Sequence, residues 1–343
     1  LGSCPCRGRG LVIRRPPAHA GHEELPHGQR QRWLPLNSYP HLIYVVHQTV
    51  RLTGASVTVM SEFRACDETG NTMRLLHLGD VLGQSGRTAA LEALPMLRDR
   101  LSVDVAVVNV ENSAHGFGVT AKICKEFYDA GADVLTTGNH VWDQREIIAY
   151  IDEDEKLLRP WNFPDGTPGK GDYVFKTRSG KKVCVVNMMG RLFMDPLSCP
   201  FQGANKLFAK HRLGKNVDAI IIDFHAETTS EKMAFGHHCD GRASLVLGTH
   251  THVPTADAQI LPGGTAYQTD VGMCGDFDSV IGMKKENSVR KFITKMPTGR
   301  FEPADGPATV CGVYVETDDA TGLAKRIEPV RIGGRLKGSW PSA

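Results

Sequence analysis

Five apolar runs in this chain each end on side chains that can hold a metal ion. Asp80 follows LLHLG, and the pair Glu111 and Asn112 follows VAVVNV. Asn139 and His140 follow VLTTG, His225 follows AIIIDF, and His250 and His252 follow SLVLGT. Two carboxylates, two amide oxygens and three imidazoles form a mixed oxygen and nitrogen set. Such a set suits Fe or Mn, with Zn as a further option, and lacks the thiolates that select softer metals. It is also larger than one tetrahedral zinc requires. Two ions sharing a carboxylate would use it fully, and a hydroxide between them is the expected nucleophile for a phosphoester.

Each of these residues also has a local structural reading. Asp80 ahead of Gly83 fits turn chemistry, Glu111–Asn112 would cap a following segment, and GNH at Gly138–His140 would make a turn. A lone His225 after a strand is more often a hydrogen-bonded core histidine. His250-Thr251-His252 is the stronger signal, because in extended backbone residues two apart point the same way. The joint placement at strand ends carries the metal reading.

The elements around these residues support convergence. From Met73 strands alternate with helices. Strands are expected at Arg74–Leu78, Val103–Val108, Val134–Thr136, Lys182–Asn187, Ala219–Asp223, Ser244–Leu247 and Ala266–Thr269. Helices are expected at Arg87–Leu101, Val119–Asp129, Gln144–Ile151, Asn205–Leu213, Thr229–Phe235 and Lys285–Ile293. Thr309–Thr317 and Ala324–Ile332 read as a closing antiparallel pair. Val/Ile-rich strands with little alternation imply burial on both faces, and the βαβ order implies a sheet that begins parallel. In open α/β sheets the carboxyl ends of strands form the ligand crevice. Arg159–Asp172 is rich in Pro and Gly and reads as a surface loop, placed at the mouth of a site.

Residues 1–72 have a different character. They mix Pro, Gly, Arg and His without periodicity, apart from a short apolar run at Leu42–Val46 that has no evident partner. They are expected to be a disordered or misassigned extension ahead of a natural start at Met73. The domain proper is expected over 73–335, with a loose tail over 336–343.

Composition excludes several classes. A formal net charge of +2 across 343 residues does not suggest stable nucleic-acid binding. No run approaches the ~18 apolar residues of a membrane helix, and no secretory signal is evident. The nine cysteines are irregularly spaced, and Cys4 and Cys6 are too close for a usual zinc pair. They read as free thiols of a cytoplasmic protein. The glycines of TPGKG and GFG do not have phosphate-loop spacing.

The order GD, carboxylate–Asn, GNH, His, GTHTH resembles the calcineurin-like metallophosphoesterase superfamily. LHLGDVLGQSGR, NVENSAHGFGVT, TTGNHVWDQREI, IDFHAETTSEK and DGRASLVLGTHTHVPTAD narrow the resemblance to its bacterial branch of cyclic-nucleotide phosphodiesterases, from Met73 to about Ile332. Glu111 stands where many relatives carry Asp. The resemblance implies a two-sheet α/β sandwich with outer helices, in four layers. It implies one metal held by Asp80, Glu111, Asn112 and His252. A second would be bridged through Glu111 and completed by Asn139, His225 and His250. It makes His140 the proton donor to the leaving oxygen and a small cyclic nucleotide (2′,3′ or 3′,5′) the substrate. A homo-oligomer is also suggested. A phosphomonoesterase or nucleotidase on the same scaffold, and a low-turnover regulatory nucleotide- or partner-binding protein, are the alternatives. Apart from the resemblance, Arg191 has a reading as a phosphate contact, and Glu227, Asp240, Asp257 and Asp270 have one as partners that orient histidines; for each a purely structural role is the equal alternative.

Overall fold

The computed structural model describes residues 45–52, 55–62 and 72–341. In chain order its elements are β1 (Val45–Leu52), β2 (Ala55–Glu62), β3 (Thr72–Leu78), β4 (Asp80–Val81), α1 (Gly83–Arg100), β5 (Val105–Asn109), α2 (Ala121–Asp129), β6 (Val134–Thr136), α3 (Ile147–Glu153), β7 (Leu157–Leu158), β8 (Asp172–Lys176) and β9 (Lys182–Met189). There follow α4 (Pro200–Lys210), β10 (Ala219–His225), α5 (Thr229–Cys239), β11 (Leu245–Thr249), β12 (Gln259–Ile260), β13 (Ala266–Gln268), β14 (Met273–Asp276), α6 (Lys285–Thr294), β15 (Ala308–Asp318) and β16 (Ala324–Ile332). Strands β1 and β2 pair antiparallel within a unit of their own, Leu1–Cys66. The apolar run at Leu42–Val46 thus does find a partner for Val45 and Val46. Apart from β1, β2 and Thr72, the residues of the segment expected to lack order lie outside the described ones.

The second unit holds two sheets. One runs β4-β14-β15-β3-β5-β6-β7, with β16 paired to β15; the other runs β12-β13-β11-β10-β9-β8. The centres are parallel: β3 with β5, β5 with β6, β9 with β10 and β10 with β11. Antiparallel strands close both sheets, as β15–β16 and β8–β9 show.

Side chains alternate across each strand, and both faces of the central strands are covered. In β5, Ala106 and Val108 join a core beneath α1 and α2, with Leu94, Leu97, Ile123 and Phe127. Val105 and Val107 point the other way, into a core shared with Val183, Val185, Ile221 and Leu245 of the second sheet. On the far side Ile220, Ile222 and Phe224 of β10 meet Leu207 of α4 and Phe235 of α5. Three apolar cores therefore separate four layers, helix–sheet–sheet–helix, as the resemblance implied.

Differences from the sequence reading lie mainly in short edge strands. β4, β7 and β12 have two residues each, too few to show a period. β8 was hidden by the preceding Pro/Gly-rich loop. That loop is tied down by the Arg159 guanidinium, which donates to the carbonyls of Pro160, Thr167 and Pro168. It does not line the cavity described below, contrary to expectation. The tail is less loose than its composition suggests, since Ser339 and Arg331 exchange two backbone hydrogen bonds.

Candidate active site

The alternation that builds the inter-sheet core changes chemistry toward the carboxyl ends of the strands. Along the inner face of β10 the order is Ala219, Ile221, Asp223, His225; along β5 and beyond it is Val105, Val107, Asn109, Glu111. β3 contributes Leu75 then His77, β6 Val134 then Thr136, and β11 Leu247 then Thr249. All these polar residues are fully buried. They form a polar layer between the apolar core and the crevice, and sequence reasoning named only its last members.

Asp223 is the centre of that layer. It accepts hydrogen bonds from Thr136 Oγ1 (2.5 Å), Asn109 Nδ2 (3.0 Å) and Thr249 Oγ1 (2.6 Å), and lies 3.4 Å from His77 Nε2. Burial alone would raise its pKa, but His77, His225 and the Thr136 hydroxyl hold it below the usual carboxylate range.

Above this layer the expected residues come together. His225 Nε2 is 3.1 Å from Glu111 Oε1, 2.9 Å from Asn139 Oδ1 and 3.0 Å from His250 Nδ1. Asp80 accepts from the backbone N–H of His250 at 3.1 Å. Donor atoms of Glu111, His225 and His250 lie within 4.8 Å of one another, as do those of Asp80, Glu111 and His252. The two triads share Glu111.

Each histidine is held by the ring nitrogen that faces away. His225 Nδ1 meets Thr249 Oγ1 at 2.9 Å, His252 Nδ1 meets the Ile281 carbonyl at 2.8 Å, and His250 Nε2 meets Glu227 Oε2 at 3.1 Å. A ring nitrogen hydrogen-bonded in this way fixes the tautomer and leaves the other nitrogen for a ligand. Glu227 thus takes the orienting place expected of it. Asp270 acts one step further out. It accepts from Thr251 N (3.1 Å) and Thr251 Oγ1 (2.7 Å), pairs with buried Lys232 (2.7 Å), and so braces the loop between the two histidines. Asp240 and Asp257 reach no histidine of the site; they tie Gly263, Thr265, Thr255 and Thr269. The side chain of Arg191 is exposed and does not line this cavity.

The HxH segment also differs from expectation. β11 ends at Thr249, and His250 and His252 adopt φ of 93° and 66°. Non-glycine residues avoid this region, and two of them so close together mark stored strain. The rings converge through this left-handed turn, not through extended backbone. Glycine is needed close by. A Cβ on Gly138 would sit 2.3 Å from both Glu111 Oε2 and His225 Nε2, so the G of GNH leaves room for the cluster.

The unmet needs of the donor set bear on whether it can hold metal. Asp80 Oδ1 is buried and has no hydrogen-bond partner. Burial pushes the Asp80 carboxyl up to about 6, despite opposing His252 and His225. Burial would also raise Glu111, but the His225 imidazolium outweighs it and brings Glu111 down to about 2. Glu111 in turn lifts His225 to about 9 against burial. Burial and the His225 charge depress His250 to about 3. An orphaned carboxylate oxygen among crowded imidazole nitrogens is a place for a cation, and each of the two triads that share Glu111 could hold a metal ion. Asn112 presents Nδ2 to Glu111 Oε1 (3.1 Å) and His252 Nε2 (3.3 Å). Ligation through its oxygen requires the opposite amide orientation.

A cavity of about 520 Å³ opens over this floor, which consists of Glu111, Asn112, His140, His250 and His252. His140 sits at its edge. Its N–H donates to Glu111 Oε2 at 3.2 Å, its Nδ1 is 2.8 Å from Asp143 Oδ2, and its ring stands edge-on to Phe117 at 5.1 Å. Asp143 was missed in the sequence, although its spacing of three after His140 was available as a signal.

Known proteins share this sequence and fold. Residues 76–330 match the YmdB-like protein family. The chain is 48% identical over 260 residues to the 2′,3′-cyclic-nucleotide 2′-phosphodiesterase of Bacillus subtilis (strain 168), covering 76% of this chain and 97% of that protein. A hypothetical protein of known structure from Thermus thermophilus superposes with a TM-score of 0.71 at 41% identity, over 77% of this chain and 100% of its own. A crystal structure described as a novel phosphatase, from Mycoplasma pneumoniae, gives 0.72 at 37% identity, over 77% and 95%.

Proposed function

This chain belongs to the YmdB-like family, and on that premise we propose that it is a hydrolase that opens cyclic nucleotides at a phosphodiester bond. The observation that carries the reading is the pair of donor triads sharing Glu111, beside a cavity edged by His140. The similarity to a 2′,3′-cyclic-nucleotide 2′-phosphodiesterase supports the 2′,3′ substrate first and the 3′,5′ substrate second. Residues 73–335 would form the catalytic domain, in keeping with the match over 76–330.

Asp80, Glu111, Asn112 and His252 would hold one ion, and Glu111, Asn139, His225 and His250 the other, with Fe or Mn suited to this thiolate-free set. Two such ions supply positive charge to phosphoryl oxygens and a water acidic enough to attack near neutral pH. The protein's own residues do the rest. The phosphorus would sit over the cavity floor, next to His140. Asp143 accepts from His140 Nδ1, so the donor form is the doubly protonated ring, and the proton to be given is the one on Nε2. As the bond from phosphorus to the ribose oxygen breaks, His140 protonates that oxygen. The product is a nucleoside monophosphate. Phe117 against the ring restricts its rotation and keeps the donor aimed.

A cytoplasmic setting is supported by the six described cysteines, all free thiols. No helix among the described residues is long and apolar enough to cross a membrane. An exposed apolar strip on α6, Val289 and Ile293 with Met296 beyond, supports a homo-oligomer.

The phosphatase description of the Mycoplasma pneumoniae structure favours a second reading, phosphomonoester cleavage. One panel separates the two: 2′,3′-cAMP, 3′,5′-cAMP, bis-p-nitrophenyl phosphate and p-nitrophenyl phosphate with Mn(II) or Fe(II). Metal-dependent diester cleavage that collapses in His140→Ala and His250→Ala is the expected result. Monoester cleavage alone would move the assignment to phosphatase. Tight nucleotide binding without turnover would indicate a regulatory protein.

A further inference from the structure

The cavity has two unlike halves, and only the floor is explained by phosphate chemistry. The opposite wall comes from α6 and its flanking segments. Ser288, Lys291 and Phe292 line it at spacings of three and four, which is one face of α6, and Lys295 joins them just past the helix end. Phe117, Ile281, Met283 and Phe301 complete the wall. This face is not part of the core. Of α6 only Ser288 is buried, and Phe292 is 70% exposed.

Two features show that the wall is built and held in place. Ile281 adopts φ of 46°, a strained conformation for a β-branched residue, and its carbonyl is the acceptor for His252 Nδ1. The apolar wall and the ligand cluster are thus fixed by one hydrogen bond. One face of each ring also meets a cation: Lys291 Nζ lies 5.2 Å from the centre of Phe301 and Lys295 Nζ 5.5 Å from that of Phe292, which leaves the opposite faces for a ligand.

Resting on the reading of the floor as a cyclic phosphodiester site, we propose that this wall is a nucleobase subsite, with Phe292 and Phe301 as its stacking platform. A cyclic nucleotide has the same polarity as the cavity. Its phosphate is anionic and hydrated, and its base is flat, apolar on both faces and rimmed with acceptors. With the phosphate beside His140, the base would reach the aromatic rings, and Lys291 and Lys295 would stand at its acceptor edge. Stacking on aromatic side chains tolerates any base, so the subsite would select nucleosides over other cyclic phosphodiesters while discriminating little among bases. The adjacent strip of Val289 and Ile293 faces away from this stripe and is left for other contacts.

The test compares 2′,3′-cAMP with methyl ribofuranoside 2′,3′-cyclic phosphate, which has the same reacting group and a methyl group in place of the base. Wild-type protein should favour the nucleotide by about tenfold or more in kcat/KM, the size of one aromatic stack. Phe292→Ala and Phe301→Ala should each collapse that preference by raising KM for the nucleotide, and Phe292→Tyr should restore it. Calorimetry of adenosine 3′-monophosphate binding should weaken in parallel, which gives a readout independent of turnover. Sedimentation of the same variants reports any change of assembly. If the preference survives both alanine variants, the base lies elsewhere and the proposal is overturned. A lowered oligomeric mass with the preference intact would assign this face to a second copy instead. If wild type cleaves neither compound, the phosphodiesterase reading itself fails. Equal cleavage of both by wild type would sink only the subsite.

Discussion

Thr249 donates its hydroxyl to Asp223 at 2.6 Å, and both side chains are completely buried. The same oxygen stands 2.9 Å from His225 Nδ1. With its hydrogen committed to the carboxylate, Thr249 can only accept from the imidazole, so the proton sits on Nδ1 and Nε2 faces the cluster. The carboxylate layer thereby sets the tautomer of a ligand it does not touch. Thr249→Val keeps the shape and removes the relay. Metal affinity should fall about 10–100-fold, and the metal-free protein should also melt lower, because Asp223 Oδ1 and His225 Nδ1 each lose a buried partner. Titration with Mn(II) would measure this, and an unchanged affinity would remove Thr249 from the relay.

The ligand residues were legible because each closes an apolar run. The layer behind them was written in the same strands, one period earlier: Asp223 two residues before His225, Asn109 two before Glu111, Thr136 two before Gly138. It could be read only with the knowledge that 223 and 225 face another sheet, which is a tertiary fact. A buried Asp in AIIIDFH looks like a strand end until His77 is placed 3.4 Å away. The left-handed backbone of His250 and His252 was hidden for a similar reason. Extended backbone is the local preference of such residues, and the hydrogen bonds that Thr251, His250 and His252 make to Asp270, Glu227 and the Ile281 carbonyl override it.

His140 and Asp143 should separate in kinetics. His140→Ala removes the proton donor and should lower kcat on cyclic nucleotides about 10²–10⁴-fold, with KM and bound metal little changed. Asp143→Asn leaves the imidazole but alters its hold on Nδ1. A smaller loss in kcat and a displaced acidic or basic limb of the pH–rate profile are expected. Equal losses for both variants, with metal content reduced, would show that the pair supports the cluster and does not donate the proton.

Lys232 and Asp270 form an ion pair 2.7 Å long with side chains 1% and 0% exposed. Removing one partner from such a pair strands the other charge, and losses of ~3–5 kcal/mol are typical. Asp270→Ala should fall in that range by urea unfolding. It should also loosen the Thr251 turn and weaken metal binding. Replacing both partners, Lys232→Met with Asp270→Ala, should recover part of the stability but not the metal affinity. Full recovery of both would mean that the carboxylate has no bracing role at the histidines.

Proton linkage gives the last prediction, because the metal-free cluster stores a proton that an ion must displace. Glu111 raises His225 to about 9, so at pH 7.5 the imidazole is protonated while Asp80, raised to about 6, is ionised. Loading at pH 7.5 should therefore release about one proton from His225, and more below pH 6 as Asp80 joins. Apparent affinity should rise with pH and level off near 9. Stability should move the other way in the metal-free protein. A histidine whose folded pKa exceeds its unfolded value of ~6.5 contributes stability fully below that value and loses it as pH climbs through the folded one. Between about pH 6.5 and 9 the metal-free protein should lose stability. Over the same interval the loaded protein should hold or gain it. Calorimetry of Mn(II) binding in buffers of different ionisation enthalpy would count the proton directly. An enthalpy independent of buffer at pH 7.5 would mean that His225 is already neutral, and that the Glu111–His225 contact of 3.1 Å is an ordinary hydrogen bond without net charge on the ring.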